Sequence, residues 1–499
     1  MGDIVEACDP SRPVAVSEEV PAGRGLVLTR DTDAAALVLD LAPSLLINAR
    51  TAQKWLHSDL VPTRDRPSHE RHHSRETLGQ SHEIQETPLL LPLTSYQLLA
   101  ALLAKWKARP PTGDGQIAAF VDSLPKAFPT SPLIWSLSGT KTISVIDLLP
   151  EPTAELCRQV RAKFDWDWAA VKAVQDRRPE LLRPAPGESP IDLTAFAWAW
   201  CCVNSRCVYL PLGLTPHSDN FTLAPVLDMC NHTWLKADEC KVSWTAAGGL
   251  QLRTPSVTAR PAGLRRGDEL FISYGAHSNG TLLSEYGFVL GRSGKAWETG
   301  NPYVEVRLDK YIEALLDAWP EREREDTKQL LQENGYWRDY TIHPHPAPAH
   351  PSHRLVVALR LLALEQVPAR EQRPVQRQQH QHPPRRESKR QRGKRASGSP
   401  PPNNAGEEDD SVQMWLEMTW GQRDLVSPDN EARAHGILRS IVDEAHRVAR
   451  ERLDKVIDLV ALAGEAEEKE SLGLIQTILE EEVDTCDALL SLDASSAAW

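Results

Sequence analysis

Three short blocks hold the residue types that can do chemistry. Ala224 to Trp234 reads APVLDMCNHTW, Arg265 to Gly275 reads RRGDELFISYG, and Asn279 to Gly291 reads NGTLLSEYGFVLG. The first sets a carboxylate, an amide and an imidazole close together as Asp228-x-x-Asn231-His232. Alone, that triplet is a turn fixed by Asp228, with His232 as a buried, hydrogen-bonded ring. Tyr274 before Gly275 is, by itself, an inward aromatic of a strand. Arg206 ends a helical run and can cap its C-terminal carbonyls. Phe288 at a helix end reads as core. Gly23-Arg24-Gly25 starts like a dinucleotide loop, but the third glycine is missing at the required spacing. His69, His72, His73 and His82 could ligate a metal, yet they sit in a polar stretch, Thr63 to Thr87, that reads as a solvated loop. The eight cysteines include no CxxC pair, which removes the signature of a zinc cage or a thioredoxin-like site. Reduced thiols of a cytosolic or nuclear protein are the simplest account.

The elements that must position these residues follow from apolar spacing. Leu26 to Thr29 and Leu37 to Leu41 are short strands bounded by Gly23, Gly25 and Pro43. From Thr94 or Ser95, a helix cap, Leu98, Leu99, Leu102 and Leu103 recur at helical spacing. Further helix is expected over Glu151 to Ala173 and Leu193 to Arg206. Between Phe221 and Leu290 the period shortens, and KVSW, LQLR and ELFISY are strand candidates. After Asn301 the pattern is helical to the end, with a stripe of Ile437, Ile441, Ala445, Val448, Leu453, Val456 and Val460. A low-complexity insert, 368–410, carries ten Lys/Arg between Arg370 and Arg395 and then the acidic run Glu407 to Asp410. Its Gln, Pro and Ser content builds no core, so it is expected to be disordered. The cluster Arg385 to Arg395 reads as a nuclear import signal, a contact for acidic partners, or a solvated run.

A length of 499 residues allows two or three domains, or one elaborated domain with a helical extension. No apolar run approaches the roughly 18 residues of a membrane span, so no membrane partner is expected. The opening MGDIVEACDP has neither a basic start nor an apolar core, so no secretory signal is expected. Glu6 likewise rules out a myristoylation motif at Gly2. A formal charge of −13 argues against direct nucleic-acid binding by the whole surface and suits a basic partner.

Taken in order, the blocks resemble the SET-domain methyltransferases of the Rubisco large-subunit lysine methyltransferase type. AWAWCCVNSRCVYLPL resembles that family's Ser-Arg helix end, giving Ser205 and Arg206, and AGRGLVLTRD its opening strand and turn, giving Gly23, Arg24, Gly25 and Leu26. IAAFVDSLPKAFPTSPLIWS resembles the family's inserted segment. DTKQLLQENGYW with HRLVVALRLLALEQ resembles its helical substrate-binding domain. The resemblance spans most of Pro21 to Gln366.

It implies an α+β SET fold: small β-sheets around a pseudoknot over 15–295, with a helical insert at about 88–200. A mostly α-helical C-terminal domain over 300–499 follows. Tyr274 would be the catalytic residue. Arg24, Gly25, Arg206, Asp228, Asn231, His232, Tyr286 and Phe288 would hold S-adenosylmethionine, with Phe288 on the adenine. Arg206 would bind the cosubstrate carboxylate or pair with Asp228. No metal is implied, because the zinc-binding cysteines after many histone-directed SET domains are absent. Histidine-modifying relatives are expected to carry an amide soon after the arginine, and none follows Arg206, which favours lysine. The implied function is methyl transfer to a lysine of a non-histone protein, ribosomal or translation-related, by a cytoplasmic and/or nuclear monomer. The alternatives are a protein-histidine methyltransferase and a non-catalytic S-adenosylmethionine-binding interaction protein.

Overall fold

The computed structural model describes residues 13–52, 54–56, 93–111, 114–138, 145–182, 187–214, 219–291, 300–364 and 407–492. The polar histidine-bearing stretch, Cys8 and nearly all of the 368–410 insert lie outside these. The chain forms two compact units: residues 1–303 with 454–479, and 304–453 with 480–499.

The first unit is built from strands of two to five residues. β1 (Val14–Ser17) pairs antiparallel with β2 (Gly25–Leu28), Val14 opposite Leu28. β3 (Leu37–Leu41) lies in a second sheet, and β4 (Ile47–Asn48) in a third. The third sheet adds β5 (Cys207–Tyr209) and β6 (Phe221–Leu223), in the order β4-β6-β5. β7 (Asn231–His232) precedes β8 (Lys241–Trp244) and β9 (Leu250–Arg253), which complete the order β3-β9-β8. β10 (Phe271–Ile272) runs parallel to β7, with Ile272 opposite His232. Such short strands cannot stand alone; they depend on the packing of their apolar faces.

A helical block supplies that packing. Helix Ser95–Ala108 begins with a capping box: Thr94 accepts from the Gln97 N–H while the Gln97 side chain accepts from Thr94. Its Leu98, Leu99, Leu102 and Leu103 are fully buried. It packs on helix Leu193–Arg206, capped by Asp192, and on the long helix Glu151–Arg177. Asp167, buried between them, accepts from Trp200 Nε1 and Gln97 Nε2, both at 2.9 Å. A buried carboxylate satisfied in this way locks the three helices in register. ELFISY, by contrast, keeps strand geometry only at Phe271 and Ile272.

In the second unit, helices Asp309–Asp317, Glu321–Glu333, His353–Leu362 and Glu407–Thr419 close a core around Tyr340 and Trp415, whose Nε1 donates to the Val357 carbonyl at 2.9 Å. Helix Pro428–Leu462 belongs to this unit as far as Leu453 and buries Ile441, Ala445 and Leu453 of the expected stripe. Helix Ala466–Leu490 follows it. Two features depart from the sequence reading. A small sheet, β11 (Val306–Arg307), β12 (Thr341–His343) and β13 (His350–Pro351), interrupts the helices. Pro346, Pro348 and Pro351 exclude a continuous helix there. Residues 407–410, placed by the sequence in the disordered insert, begin a helix instead. Acidic residues suit the first turn of a helix.

Candidate active site

Three segments far apart in sequence meet at Asn231. Its Nδ2 donates to the Arg24 carbonyl at 2.9 Å and to Glu269 Oε1 at 2.6 Å. Leu270 N–H donates to the Leu26 carbonyl at 2.7 Å, so the segment entering β10 is pinned on both sides. A Cβ on Gly25 would lie 2.4 Å from Glu269 Oε1 and 2.9 Å from Asn231 Nδ2. Only glycine permits that approach. Burial raises the Glu269 pKa, and the Asn231 donation pulls it back down.

Beside this junction, Arg206 at the end of its helix donates through Nη1 to the Asp228 carbonyl (2.8 Å) and carboxylate (3.2 Å). The Asp228 side chain is 0% exposed, whereas Arg206 keeps 16% and reaches the cavity. Burial pushes the Asp228 pKa up, and Arg206 and then Arg24 counter it. Arg24 is depressed by burial and then by Arg206. Two guanidiniums therefore act on Asp228, and Glu18 acts on Arg24 as well. Arg206 Nε and Asp228 Oδ1 are buried with no hydrogen-bond partner among the described residues. The turn Leu227–Met229 that delivers Asp228 follows Val226, held at φ 72°. A buried β-branched residue in that conformation stores strain of about 1–3 kcal/mol.

Tyr274 follows β10. Its hydroxyl donates to the Cys230 carbonyl at 2.9 Å. Burial pushes its pKa far up, so the phenol keeps its proton. Its main chain is held as well: the N–H donates to His232 Nδ1 at 3.1 Å, and His277 Nε2 donates to its carbonyl at 3.1 Å. Its ring stacks on Tyr286 at 5.1 Å and meets Phe288 edge-on at 6.3 Å.

A cavity of about 530 Å³ opens on this cluster, walled by Arg206, Asp228, Cys230, Ile272, Tyr274 and Tyr286. Tyr209, Lys241 and Val242 continue its lining. Four exposed apolar side chains lie on or beside it. Tyr209 is 42% exposed and Trp244 58%, and their rings meet edge-on at 6.5 Å. Leu235 (43%) and Val257 (59%) adjoin the lining residues Lys236 and Ser256.

The structure thus gathers Arg206, Asp228, Tyr274 and Tyr286 on one cavity. Asn231 and His232 stand behind Tyr274, and Arg24 and Gly25 join through Asn231. Phe288 packs against Tyr274 and Tyr286, outside the cavity lining. Arg206 pairs with Asp228, one of the two alternatives that the sequence left open. Glu269, His277 and the Cys230 carbonyl went unread. Glu269 adjoins the apolar run Leu270 to Ile272 and looks like the solvent face of a strand, and a backbone carbonyl leaves no trace in residue type.

No family model matches the chain. It is 25% identical over 342 residues to the ribosomal lysine N-methyltransferase set11 of Schizosaccharomyces pombe, covering 68% of each chain. With ribosomal lysine N-methyltransferase 2 of Saccharomyces cerevisiae it shares 29% identity over 54% of this chain and 58% of that protein. With mouse SET domain-containing protein 4 it shares 32% over 50% and 51%. The chain therefore spans between about half and two thirds of these relatives' lengths. Among solved structures, Rubisco LSMT bound to sinefungin and monomethyllysine superposes with a TM-score of 0.54 at 15% identity, over 98% of this chain and 89% of that one. The SET domain of LSMT bound to lysine and AdoHcy gives 0.53 at 15%, over 96% and 86%. The chain thus has the fold of the SET-domain structures of LSMT, and the relatives it matches are named ribosomal lysine methyltransferases and a SET domain-containing protein.

Proposed function

We propose that the chain transfers a methyl group from S-adenosylmethionine to a lysine side chain of a ribosomal protein. The observation that supports this best is the unsaturated Arg206–Asp228 pair beside the Tyr274 hydroxyl, on one cavity. The residues present suit the cosubstrate. The guanidiniums of Arg24 and Arg206, the second of them lining the cavity, suit its carboxylate. The missing Cβ at Gly25 lets Asn231 and Glu269 close on that turn, which fixes the junction beside Arg24. Phe288 and Tyr286 offer aromatic surface of fixed geometry.

When bound, S-adenosylmethionine supplies an electrophilic methyl carried on a sulfonium. The protein's task is alignment and delivery of a neutral amine. A free lysine is mostly protonated at neutral pH, with a pKa of about 10.4. The apolar walls at Ile272, Val208 and Tyr286 disfavour the charged form and ease loss of its proton to water. Tyr274 cannot take that proton, because its own remains bound. By donating to the Cys230 carbonyl, its hydroxyl keeps its lone pairs turned to the cavity, where they orient the amine. The apolar rim of Tyr209, Trp244, Leu235 and Val257 fits a protein surface around the acceptor. Two relatives are named ribosomal lysine methyltransferases, which points to the substrate class. The cytoplasm and nucleus are the proposed compartments, in keeping with seven unpaired described cysteines, six of them buried.

The test is incubation with labelled S-adenosylmethionine and ribosomal protein, beside Asn231→Ala, followed by digestion and mass spectrometry. A methylated lysine that vanishes with the variant is expected. A methylated histidine, or label equal in both proteins, would contradict the assignment.

A further inference from the structure

Tyr274 is held by more than its hydroxyl. One peptide unit away from the ring, its N–H donates to His232 Nδ1, and its carbonyl accepts from His277 Nε2, each at 3.1 Å. Two imidazoles thus grip the main chain of a single residue from its two sides. The grip is built in. A Cβ on Gly275 would stand 2.4 Å from His277 Nε2, so glycine there admits the ring. Asn301, itself buried, donates to the His277 carbonyl at 2.9 Å and fixes the loop that carries it. His232 is fixed by β7, whose partner β10 leads straight into Tyr274.

We propose that His232 and His277 are positioning residues that clamp the Tyr274 peptide, and that His232 does so only in its neutral form. This rests on the methyl-transfer reading and deepens it. The chemistry is direct: Nδ1 can accept the Tyr274 N–H only while it carries no proton. A proton on Nδ1 turns the acceptor into a donor facing a donor, and the Tyr274 segment is released. His277 has no such limit, since Nε2 donates to a carbonyl whether the ring is charged or neutral.

The groups around His232 decide which form is present. Burial and the neighbouring His277 disfavour its charge, whereas the Ile272 carbonyl and Glu239 favour it. The balance puts its pKa below the ordinary 6.5. The Tyr274 phenol, whose ring lies tilted beside that of His232 at 5.2 Å, remains neutral and adds no charge. The clamp is therefore closed at neutral pH and opens on acidification.

The test uses the full chain with saturating S-adenosylmethionine and two kinds of variant. His232→Asn keeps an acceptor where Nδ1 stood but cannot be protonated, and His277→Gln keeps a donor near Nε2. His232→Leu and His277→Ala remove the contacts. Loss of one such hydrogen bond is expected to lower kcat about tenfold in the latter pair, with cosubstrate affinity unchanged in His277→Ala and much of kcat recovered in the conservative pair. Below pH 6.5 the wild-type rate should fall with about two protons, one on the acceptor lysine and one on His232, while His232→Asn falls with about one.

A second readout needs no turnover. Labelling the eight tyrosines with 15N gives few amide signals, and Tyr274→Phe identifies the relevant one. That amide should shift as the wild type is acidified and stay still in His232→Asn. A stationary amide in the wild type, or a His232→Asn enzyme as slow as His232→Leu, would overturn the clamp. If no methyl transfer is found at any pH, the function fails, and the amide titration still decides the clamp.

Discussion

Both units contain a largely buried guanidinium–carboxylate pair, and the two are finished differently. In the second unit Arg360 donates from Nε and Nη2 to both oxygens of Glu431, at 2.8 and 2.7 Å, and from Nη1 to the Asp424 carbonyl at 3.3 Å. Asn430, next in the chain to Glu431, binds the Arg360 carbonyl at 2.9 Å. This is a fork matched to a carboxylate, with every strong direction used. In the first unit Arg206 reaches Asp228 through one nitrogen, and Arg206 Nε and Asp228 Oδ1 stay unused. Each arginine sits in the last turn of a helix, and each carboxylate belongs to a turn or helix start. Residue type is shared; saturation separates them. A complete pair holds a core together, whereas an incomplete one kept dry costs stability unless a ligand completes it.

The largest expected effect breaks the saturated pair. Arg360→Ala removes the fork from the partly buried Glu431 and should cost about 1.5–3 kcal/mol, read as a drop in the denaturation midpoint. Methyl transfer per folded molecule should be unaffected. Arg206→Ala should do the reverse. Cosubstrate affinity by calorimetry is expected to weaken by about a hundredfold, with a smaller loss of stability, because the desolvated partner is a ligand. If Arg206→Ala lowered only the midpoint and left affinity intact, the two pairs would be of one kind.

A third buried carboxylate sharpens the contrast. Burial raises Glu482 in the second unit to about 7, with Lys310 and Arg452 offsetting only part of that cost. A folded pKa above the ordinary 4.5 means stabilisation by the bound proton below 4.5, lost as pH rises through about 7. Glu482→Gln should therefore be more stable than the wild type at pH 8 by about 1–2 kcal/mol, and the gap should close as pH falls toward the ordinary glutamate range. A stability difference independent of pH would refute the assignment of that cost to charge.

The smallest effect is at the rim. Trp244→Ala removes apolar surface from an edge strand and should raise KM for the protein substrate several-fold, about 1 kcal/mol, leaving kcat and cosubstrate affinity in place. A change in kcat alone would place Trp244 in the chemistry rather than in docking.

Much of the local architecture was legible because it depends on neighbours in sequence. Helix Leu193–Arg206 and the strands KVSW and LQLR have the bounds that the apolar spacing gives. So does the cap at Thr94. The ordered Asn231-His232 and Tyr274-Gly275 blocks come together in the structure, where β7 pairs with β10 beside the cavity. What stayed hidden depends on atoms that residue type does not encode. The Cys230 carbonyl, the φ of Val226 and the approach of Glu269 to Gly25 arise only where distant segments cross. His232 was legible as a site residue, yet its bond to the Tyr274 N–H was not. The sheet β11–β13 was missed because strands of two or three residues carry almost no periodic signal.

The most direct test of the central assignment is single-turnover methyl transfer by the wild type and Tyr274→Phe, with S-adenosylmethionine affinity measured on both. Removing the hydroxyl that orients the amine should slow transfer by about a hundredfold or more while affinity changes less than about twofold. Equal rates in the two proteins would contradict the role of Tyr274, and absence of cosubstrate binding in the wild type would contradict the site itself.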